Sequence, residues 1–153
     1  MNSEIDKQMN TVLTPAAAAA LDWRVLTELD DARLRRLRRQ YEVSDVVDEA
    51  LDVLLNQADL VSSREVPAQV VTMNSRVRVS APQSGKAHLV TICYPAEADV
   101  ERGRVSVLSP MGIALLGHRE GQVVPWMRPD GRGDAWLIET VEYQPEAAGD
   151  FHL

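Results

Sequence analysis

The stretch VSVLSPMGIALLGHREG, residues 105–121, contains three structural signals in the order strand, turn and short helix. Its first valines alternate with a serine, as expected at the end of a strand with one buried face. Ser109 followed by Pro110 is typical of a helix start, because the serine oxygen accepts a backbone N–H and proline has none to satisfy. The apolar residues that follow predict one or two helical turns, which Gly117 can end in a left-handed conformation.

Composition limits the classes of protein to which the chain can belong. Its 153 residues allow one domain, or one small domain with a helical extension. The formal net charge of −7 argues against direct sequence-specific binding of nucleic acid. Cys93 is the single cysteine, so no intrachain disulfide is expected and the side chain is interpreted as a small core residue. No secretory signal or membrane span is apparent, so we expect a cytoplasmic protein.

Apolar residues at helical spacing predict two helices in the N-terminal part of the chain. The first covers residues 22–41 and the second 45–60. Only residues 42–44 separate them, so we expect an antiparallel hairpin. The apolar stripe predicted for the first helix consists of Trp23, Leu26, Leu29, Leu34, Leu37 and Tyr41. The stripe predicted for the second helix consists of Val47, Ala50, Leu51, Leu54, Leu55 and Ala58.

Opposite charges flank the predicted turn between these helices. The charged residues are Arg33, Arg35, Arg36, Arg38 and Arg39 on the first helix and Asp45, Asp48, Glu49 and Asp52 on the second. The two sets would meet across a hairpin, where exposed pairs tune orientation more than stability. We interpret the arginines chiefly as a solvated face neutralised in this way, with contact to an acidic partner as the alternative.

Beyond residue 69 the apolar residues alternate as they do in strands. Predicted strands cover 71–79 with an interruption at 74–75, then 87–93, 105–107, 122–127 and 135–143. Strands separated by turns, with one short helix inserted, indicate an α+β unit. The predicted boundaries are a mobile leader at 1–20, a helical hairpin at 21–61, a linker at 62–69 and the α+β domain at 70–153.

Several short motifs, taken in order, resemble those of a known family. They are VTMNS at 71–75, TICYP at 91–95, LSPMGIALLG at 108–117 and YQPEAAGD at 143–150. With the preceding hairpin they resemble the Rnk family, the regulators of nucleoside diphosphate kinase, which is related to the Gre-type transcript cleavage factors. The resemblance covers roughly residues 66–153 well, and the hairpin by its architecture alone.

The resemblance implies an FKBP-like C-terminal domain of the Gre type and one macromolecular partner, bacterial RNA polymerase. In Gre-like proteins this domain docks at the rim of the secondary channel of the polymerase, and the hairpin projects into the channel. The usual docking contact carries over to Leu108, Ser109 and Pro110. We therefore expect a non-enzymatic transcription regulator that competes with Gre factors, with no catalytic residue, no cofactor and no metal of its own.

The hairpin tip carries Glu42, Asp45 and Asp48, which bear on the alternative function. Gre factors use an acidic pair at the tip to help hold a catalytic Mg²⁺ in the polymerase, and carboxylate oxygens suit that ion. The same acids also have a structural interpretation, since Ser44 or Asp45 can cap the second helix and Asp48 favours its dipole. The alternative to the regulator is thus a transcript cleavage factor acting through Glu42 and Asp45.

The length of the predicted hairpin argues against cleavage. Helices of about 16–20 residues extend roughly 25–30 Å at 1.5 Å per residue, and the resemblance implies a longer arm for Gre factors. A prolyl isomerase is a third hypothesis suggested by the FKBP-like fold, but it needs an aromatic-walled pocket. The available rings are Tyr94, Trp126, Trp136, Tyr143 and Phe151, and we expect the two tryptophans to serve packing on adjacent strands.

Overall fold

Two short strands and two helices precede a five-stranded sheet in the computed structural model, which describes residues 23–128 and 130–151. The elements are β1 Val25–Thr27, α1 Glu28–Gln40, α2 Asp45–Gln57, β2 Asp59–Val61, β3 Arg76–Ser80, β4 Ala87–Cys93, β5 Arg104–Ser106, α3 Pro110–Leu115, β6 Val123–Met127 and β7 Gly133–Tyr143. The predicted α+β class is confirmed. The predicted leader at 1–20 lies outside the described residues. Among the helices of the described part, none is long and apolar enough to cross a bilayer.

The large sheet has the strand order β5-β4-β3-β7-β6. Only β4 and β5 run parallel, and the other neighbours are antiparallel. On the central strand β3, Val77 and Val79 are buried while Arg76 and Arg78 are exposed, which is the alternation of a strand with one buried face. The sheet therefore presents its inner face to a core that the helices cover.

The predicted strand at 71–79 is shorter than expected, because residues 72–75 form a turn. The N–H of Ser75 donates to the Thr72 carbonyl at 3.0 Å, and the N–H of Thr72 donates to Ser75 Oγ at 2.9 Å. Asn74 adopts the left-handed conformation with φ 67°, which asparagine tolerates better than most residues. The strand proper begins only at Arg76.

The prediction of a first helix from residue 22 is wrong at its start. Val25–Thr27 form β1, which pairs in parallel with β2. All three residues of β1 are buried, so no alternation marks the strand in the sequence. Thr27 ends the strand and caps α1, because its Oγ1 accepts the N–H of Asp30 at 2.9 Å. Of the predicted stripe, Trp23, Leu29 and Tyr41 are exposed instead of buried.

The second helix ends earlier than predicted, at Gln57, and Asp59–Val61 turn into β2. The N–H of Asp59 donates to the Arg24 carbonyl at 2.9 Å, and this bond draws the chain alongside β1. At the other end Ser44 is the cap, since its Oγ accepts the N–H of Val47 at 3.3 Å. Of the two candidates for this role, Ser44 and Asp45, the serine therefore supplies the capping oxygen.

One hydrophobic core joins the helices to the sheet. Leu34 of α1 and Leu51 of α2 are fully buried in the same cluster as Val77 of β3 and Leu115 of α3. The predicted linker at 62–69 therefore connects two parts that pack against each other, although the division into domains at that point stays a prediction. Cys93 is buried as expected, and its burial raises the pKa of the thiol.

The short helix α3 forms as its sequence predicts. Ser109 is the N-cap, Pro110 is the first helical residue, and Gly117 follows the helix with φ 86°. The Gly117 carbonyl accepts the N–H of Val25 at 3.1 Å, while its own N–H donates to the Val71 carbonyl at 2.8 Å. The residue that follows α3 therefore bonds directly to β1 and to Val71, which precedes β3.

Candidate functional site

The segment Leu108, Ser109 and Pro110 forms a rigid loop between β5 and α3. The Ser106 carbonyl accepts both the N–H of Ser109 at 3.0 Å and the Ser109 hydroxyl at 2.7 Å. Ser109 Oγ in turn accepts the N–H of Gly112 at 3.0 Å. All three loop residues are half-buried, so each leaves part of its surface accessible. A loop fixed by this many hydrogen bonds is a well-ordered place for a contact.

A groove of about 550 Å³ adjoins this loop at Met111, the residue after Pro110. Its lining combines apolar side chains, among them Met111, Val105, Val100 and Leu89, with the charged side chains of Glu101 and Arg102. Val100 is 86 % exposed and Leu89 is 41 % exposed. The groove and the adjacent loop, hereafter the docking surface, offer apolar contacts next to the hydrogen-bonded turn.

The three acids at the turn between α1 and α2 do not act as one group. Asp48 accepts hydrogen bonds from Arg38 across the turn, with a shortest distance of 2.8 Å, and Asp52 accepts from the same guanidinium at 2.7 Å. These bonds, with Asp52 first, raise the pKa of Arg38. Glu42 and Asp45 are exposed and stand apart from this ion pair. In the described part of the chain, no group of three or more potential ligands could hold a metal ion.

Among residues 23–128 and 130–151, the expected neutralisation of arginines across the turn is seen for Arg38. Arg33 and Arg35 instead pair within α1, with Asp30 at 2.9 Å and with Asp31 at 3.1 Å. The arginine-rich helix therefore carries less uncompensated charge than its sequence indicates.

A buried carboxylate joins α1 to the sheet domain, and the sequence analysis missed it. Asp30 is fully buried. Its Oδ2 accepts the N–H of Met73 at 3.0 Å and its Oδ1 accepts from Arg33 at 2.9 Å. Asp30 thus satisfies the backbone of the turn that precedes β3 and fixes α1 at that position.

The same turn also bonds to the C-terminal segment. Thr72 Oγ1 donates to Glu146 Oε1 at 2.7 Å and lies 2.8 Å from Ser75 Oγ. Burial raises the pKa of Glu146, while the hydrogen bond from Thr72 lowers it in part. Gln144 donates from its side chain to the Pro67 and Val70 carbonyls at 2.7 and 2.8 Å. The VTMNS and YQPEAAGD motifs therefore meet in space and serve the assembly of the fold.

One sequence signal could have revealed this junction. Thr27 and Asp30 have the spacing of a capping threonine and an acidic residue in the first turn of a helix. This spacing indicates a helix start at residue 28, where α1 begins. Asp30 also lies four residues before the buried Leu34, on the face that packs inward. A carboxylate on a buried face must have polar partners.

Comparisons with known proteins agree with this architecture. Residues 66–143 match the family described as transcription elongation factor, GreA/GreB, C-term. The chain is 37% identical over 130 residues to the regulator of nucleoside diphosphate kinase from Escherichia coli, covering 84% of this chain and 96% of the relative. It is 33% identical over 113 residues to the transcription inhibitor protein Gfh1 from Thermus thermophilus, covering 72% of this chain and 71% of the relative.

A solved structure is similar over most of its length. It is the prokaryotic transcription elongation factor GreA/GreB from Nitrosomonas europaea, with a TM-score of 0.64 and 32% sequence identity. The similarity covers 78% of this chain and 98% of that chain.

Proposed function

Because the chain belongs to the GreA/GreB C-terminal family, and within it to the regulators of nucleoside diphosphate kinase, we propose that it binds bacterial RNA polymerase and regulates transcription. In this proposal it docks at the rim of the secondary channel, competes there with Gre-type factors and does not cleave transcripts. The relatives include proteins named as transcription elongation factors and proteins named as transcription inhibitors, which supports a role in either stimulating or inhibiting transcription.

The docking surface is the observation that carries the proposal. Ser109 and Pro110 lie at the start of α3, where Ser106 bonds to the backbone N–H of Ser109, and Met111 continues the surface into the groove. Exposed apolar side chains beside a rigid polar turn are the composition expected of a protein-binding site. The polymerase is therefore expected to cover this turn and the groove together.

The two helices support regulation over cleavage. Each has 13 residues, which corresponds to about 20 Å at 1.5 Å per residue and is shorter than the sequence predicts. Both helices also pack into the core of the sheet domain, so that they do not form a free arm. A tip on helices this short, packed against the sheet domain, is expected to remain distant from the catalytic Mg²⁺ of the polymerase.

Replacing Ser109 and Pro110 together by alanine should abolish binding to core RNA polymerase. The double variant truncates two of the three side chains of the proposed contact, while loss of the cap costs only about 1 kcal/mol of folding stability. Binding is measured by equilibrium titration of labelled protein with core polymerase, and thermal unfolding verifies that the variant is folded. A Gre factor added to the wild-type complex should displace the protein.

The chain contains a matched control for this variant. Pro82 and Ser84 lie in an exposed turn, and Ser84 Oγ accepts a backbone N–H from Lys86 at 3.2 Å. Replacing this pair by alanine removes the same residue types and one equivalent hydrogen bond, and polymerase binding should not change. Equal binding by both double variants and the wild type would rule out docking through residues 108–110.

Addition of the protein to a backtracked elongation complex should leave the RNA at its original length. Glu42 and Asp45 are the acids that cleavage would require, since Asp48 is occupied by Arg38. The measurement is gel analysis of end-labelled RNA, with a Gre factor as positive control. Shortened RNA that disappears in the Glu42→Ala, Asp45→Ala variant would establish the cleavage function instead.

A further inference from the structure

A second pocket, of about 400 Å³, lies along α1 and shares no residue with the docking surface. Its lining residues are Leu29, Arg33, Arg36, Leu37, Gln40, Tyr41 and Tyr94. We propose that this pocket binds a mononucleotide, with its phosphates on Arg36 and its base on the ring of Tyr41. The volume falls within the range of pockets that hold small ligands, and this proposal is independent of polymerase binding.

We assign phosphate binding to Arg36 because the neighbouring arginines form ion pairs with carboxylates. Arg35 and Arg38 are bonded to Asp31, Asp48 and Asp52. Arg36 is exposed, and in residues 23–128 and 130–151 no carboxylate lies within ion-pair distance of it. A guanidinium presents parallel N–H donors that match the oxygens of a phosphate.

Arg33 lies at a fixed position in the pocket, where its charge is paired with Asp30 at 2.9 Å. Its guanidinium carbon lies 5.9 Å from the centre of the Tyr94 ring. The Tyr94 phenol is neutral at physiological pH and can donate a hydrogen bond, and burial raises its pKa still further above that range. The polar wall is therefore ordered before a ligand arrives.

We assign stacking of the nucleotide base to the ring of Tyr41. Its side chain is 41% exposed, and Leu29 in the same pocket is 42% exposed, so apolar surface is available for a planar base. A base can stack on an aromatic ring whatever its identity, because every base has a π-face. The Gln40 side-chain amide adds a donor and an acceptor at the same end of α1.

A single nucleotide fits the charge distribution better than a strand. Binding of single-stranded nucleic acid requires a series of positive groups along a groove. Here the charges of Arg35 and Arg38 are neutralised by ion pairs with carboxylates. The exposed acids Glu42 and Asp45 also follow Tyr41 closely in the chain. A net charge of −7 further disfavours a polyanion.

Isothermal titration of the full chain with GTP and ATP tests the proposal. Arg36→Ala should weaken binding by about tenfold or more, because a charge-assisted contact is lost. The matched control is Arg35→Ala, which removes one positive charge a residue away and outside the pocket and should change affinity by no more than about twofold. Tyr41→Ala should weaken nucleotide binding but leave binding of inorganic triphosphate unchanged.

Three results would overturn the proposal. The first is no detectable binding of GTP or ATP at millimolar concentration. The second is an equal loss in the Arg35 and Arg36 variants, which would indicate a general charge effect. The third is that a short RNA oligomer binds more tightly than GTP and loses affinity in the same two pocket variants, which would assign the site to a strand. Both substituted side chains are exposed, and the thermal unfolding midpoint verifies folding.

Discussion

Replacing Gly112 by alanine is expected to disrupt the start of α3 and to destabilise the whole protein. A Cβ at this position would lie 2.0 Å from the Ser106 carbonyl oxygen and 2.9 Å from its carbon. Both are backbone atoms, and that carbonyl also accepts two hydrogen bonds from Ser109, so the loop must move. We expect a loss of about 3 kcal/mol or more in the free energy of unfolding, as in overpacked cores, measured by urea denaturation.

The effect on function should accompany the effect on stability. Since the displaced carbonyl positions Ser109, the variant should also lose polymerase binding under conditions in which it is still folded. Gly133→Ala is the control, because a Cβ there meets no atom within 4 Å. Alanine is intrinsically favoured over glycine in a helix, so a stable Gly112→Ala variant would show that the close approach to Ser106 is relieved at no cost.

Replacing Asp30 by alanine should have the other large effect. The change removes the acceptor of the Met73 N–H and the ion pair between Asp30 and Arg33. Removing one member of a buried polar pair is expected to cost about 3 kcal/mol, a large part of the stability of a small protein. The measurement is the midpoint of urea unfolding. The dependence of the unfolding free energy on urea concentration should stay unchanged, because it reports the surface exposed on unfolding.

The neighbouring residue supplies the control. Asp31 pairs with Arg35; the arginine side chain is 52% exposed and the aspartate side chain 15% exposed. The other oxygen of Asp31 has no hydrogen-bond partner among the described residues, so this carboxylate accepts no backbone N–H comparable to that of Met73. Asp31→Ala removes the same chemical group from the same turn, and we expect a change within about 0.5 kcal/mol, because the pair with the exposed arginine is weak and an unsatisfied oxygen is removed with it. If the two variants are equally stable, the contact between Asp30 and Met73 contributes nothing measurable to the attachment of α1.

Local signals in the sequence predicted α3 correctly. Ser109, Pro110 and Gly117 each act on their immediate neighbours, so their structural effects are evident without knowledge of the tertiary fold. The strand β4 has the predicted bounds of 87–93, although its buried residues, Val90, Ile92 and Cys93, are confined to its second half. By contrast, β1 is three buried residues paired with a strand more than thirty positions later, and no local period identifies it.

The polar junction could not be predicted for the same reason. The partners Asp30 and Met73 are 43 positions apart, and Thr72 and Glu146 are 74 apart. The resemblance singled out the motifs that contain three of these residues, and a motif alone does not say which residues meet. The placement of the docking residues at the start of α3 followed from their sequence, whereas the groove beside them depends on how β4 and β5 pair in the sheet.

The core shared by the helices and the sheet has a consequence for association with a large partner. When two parts of a protein are joined by a loose linker, a partner that contacts both must suppress their relative rotation, and this entropy loss weakens binding. Here Leu34 and Leu51 of the helices and Leu115 beside the docking surface are already immobilised together. The distance between the acidic turn and the docking surface is therefore set during folding, and contacts at one location are made without an additional ordering penalty at the other.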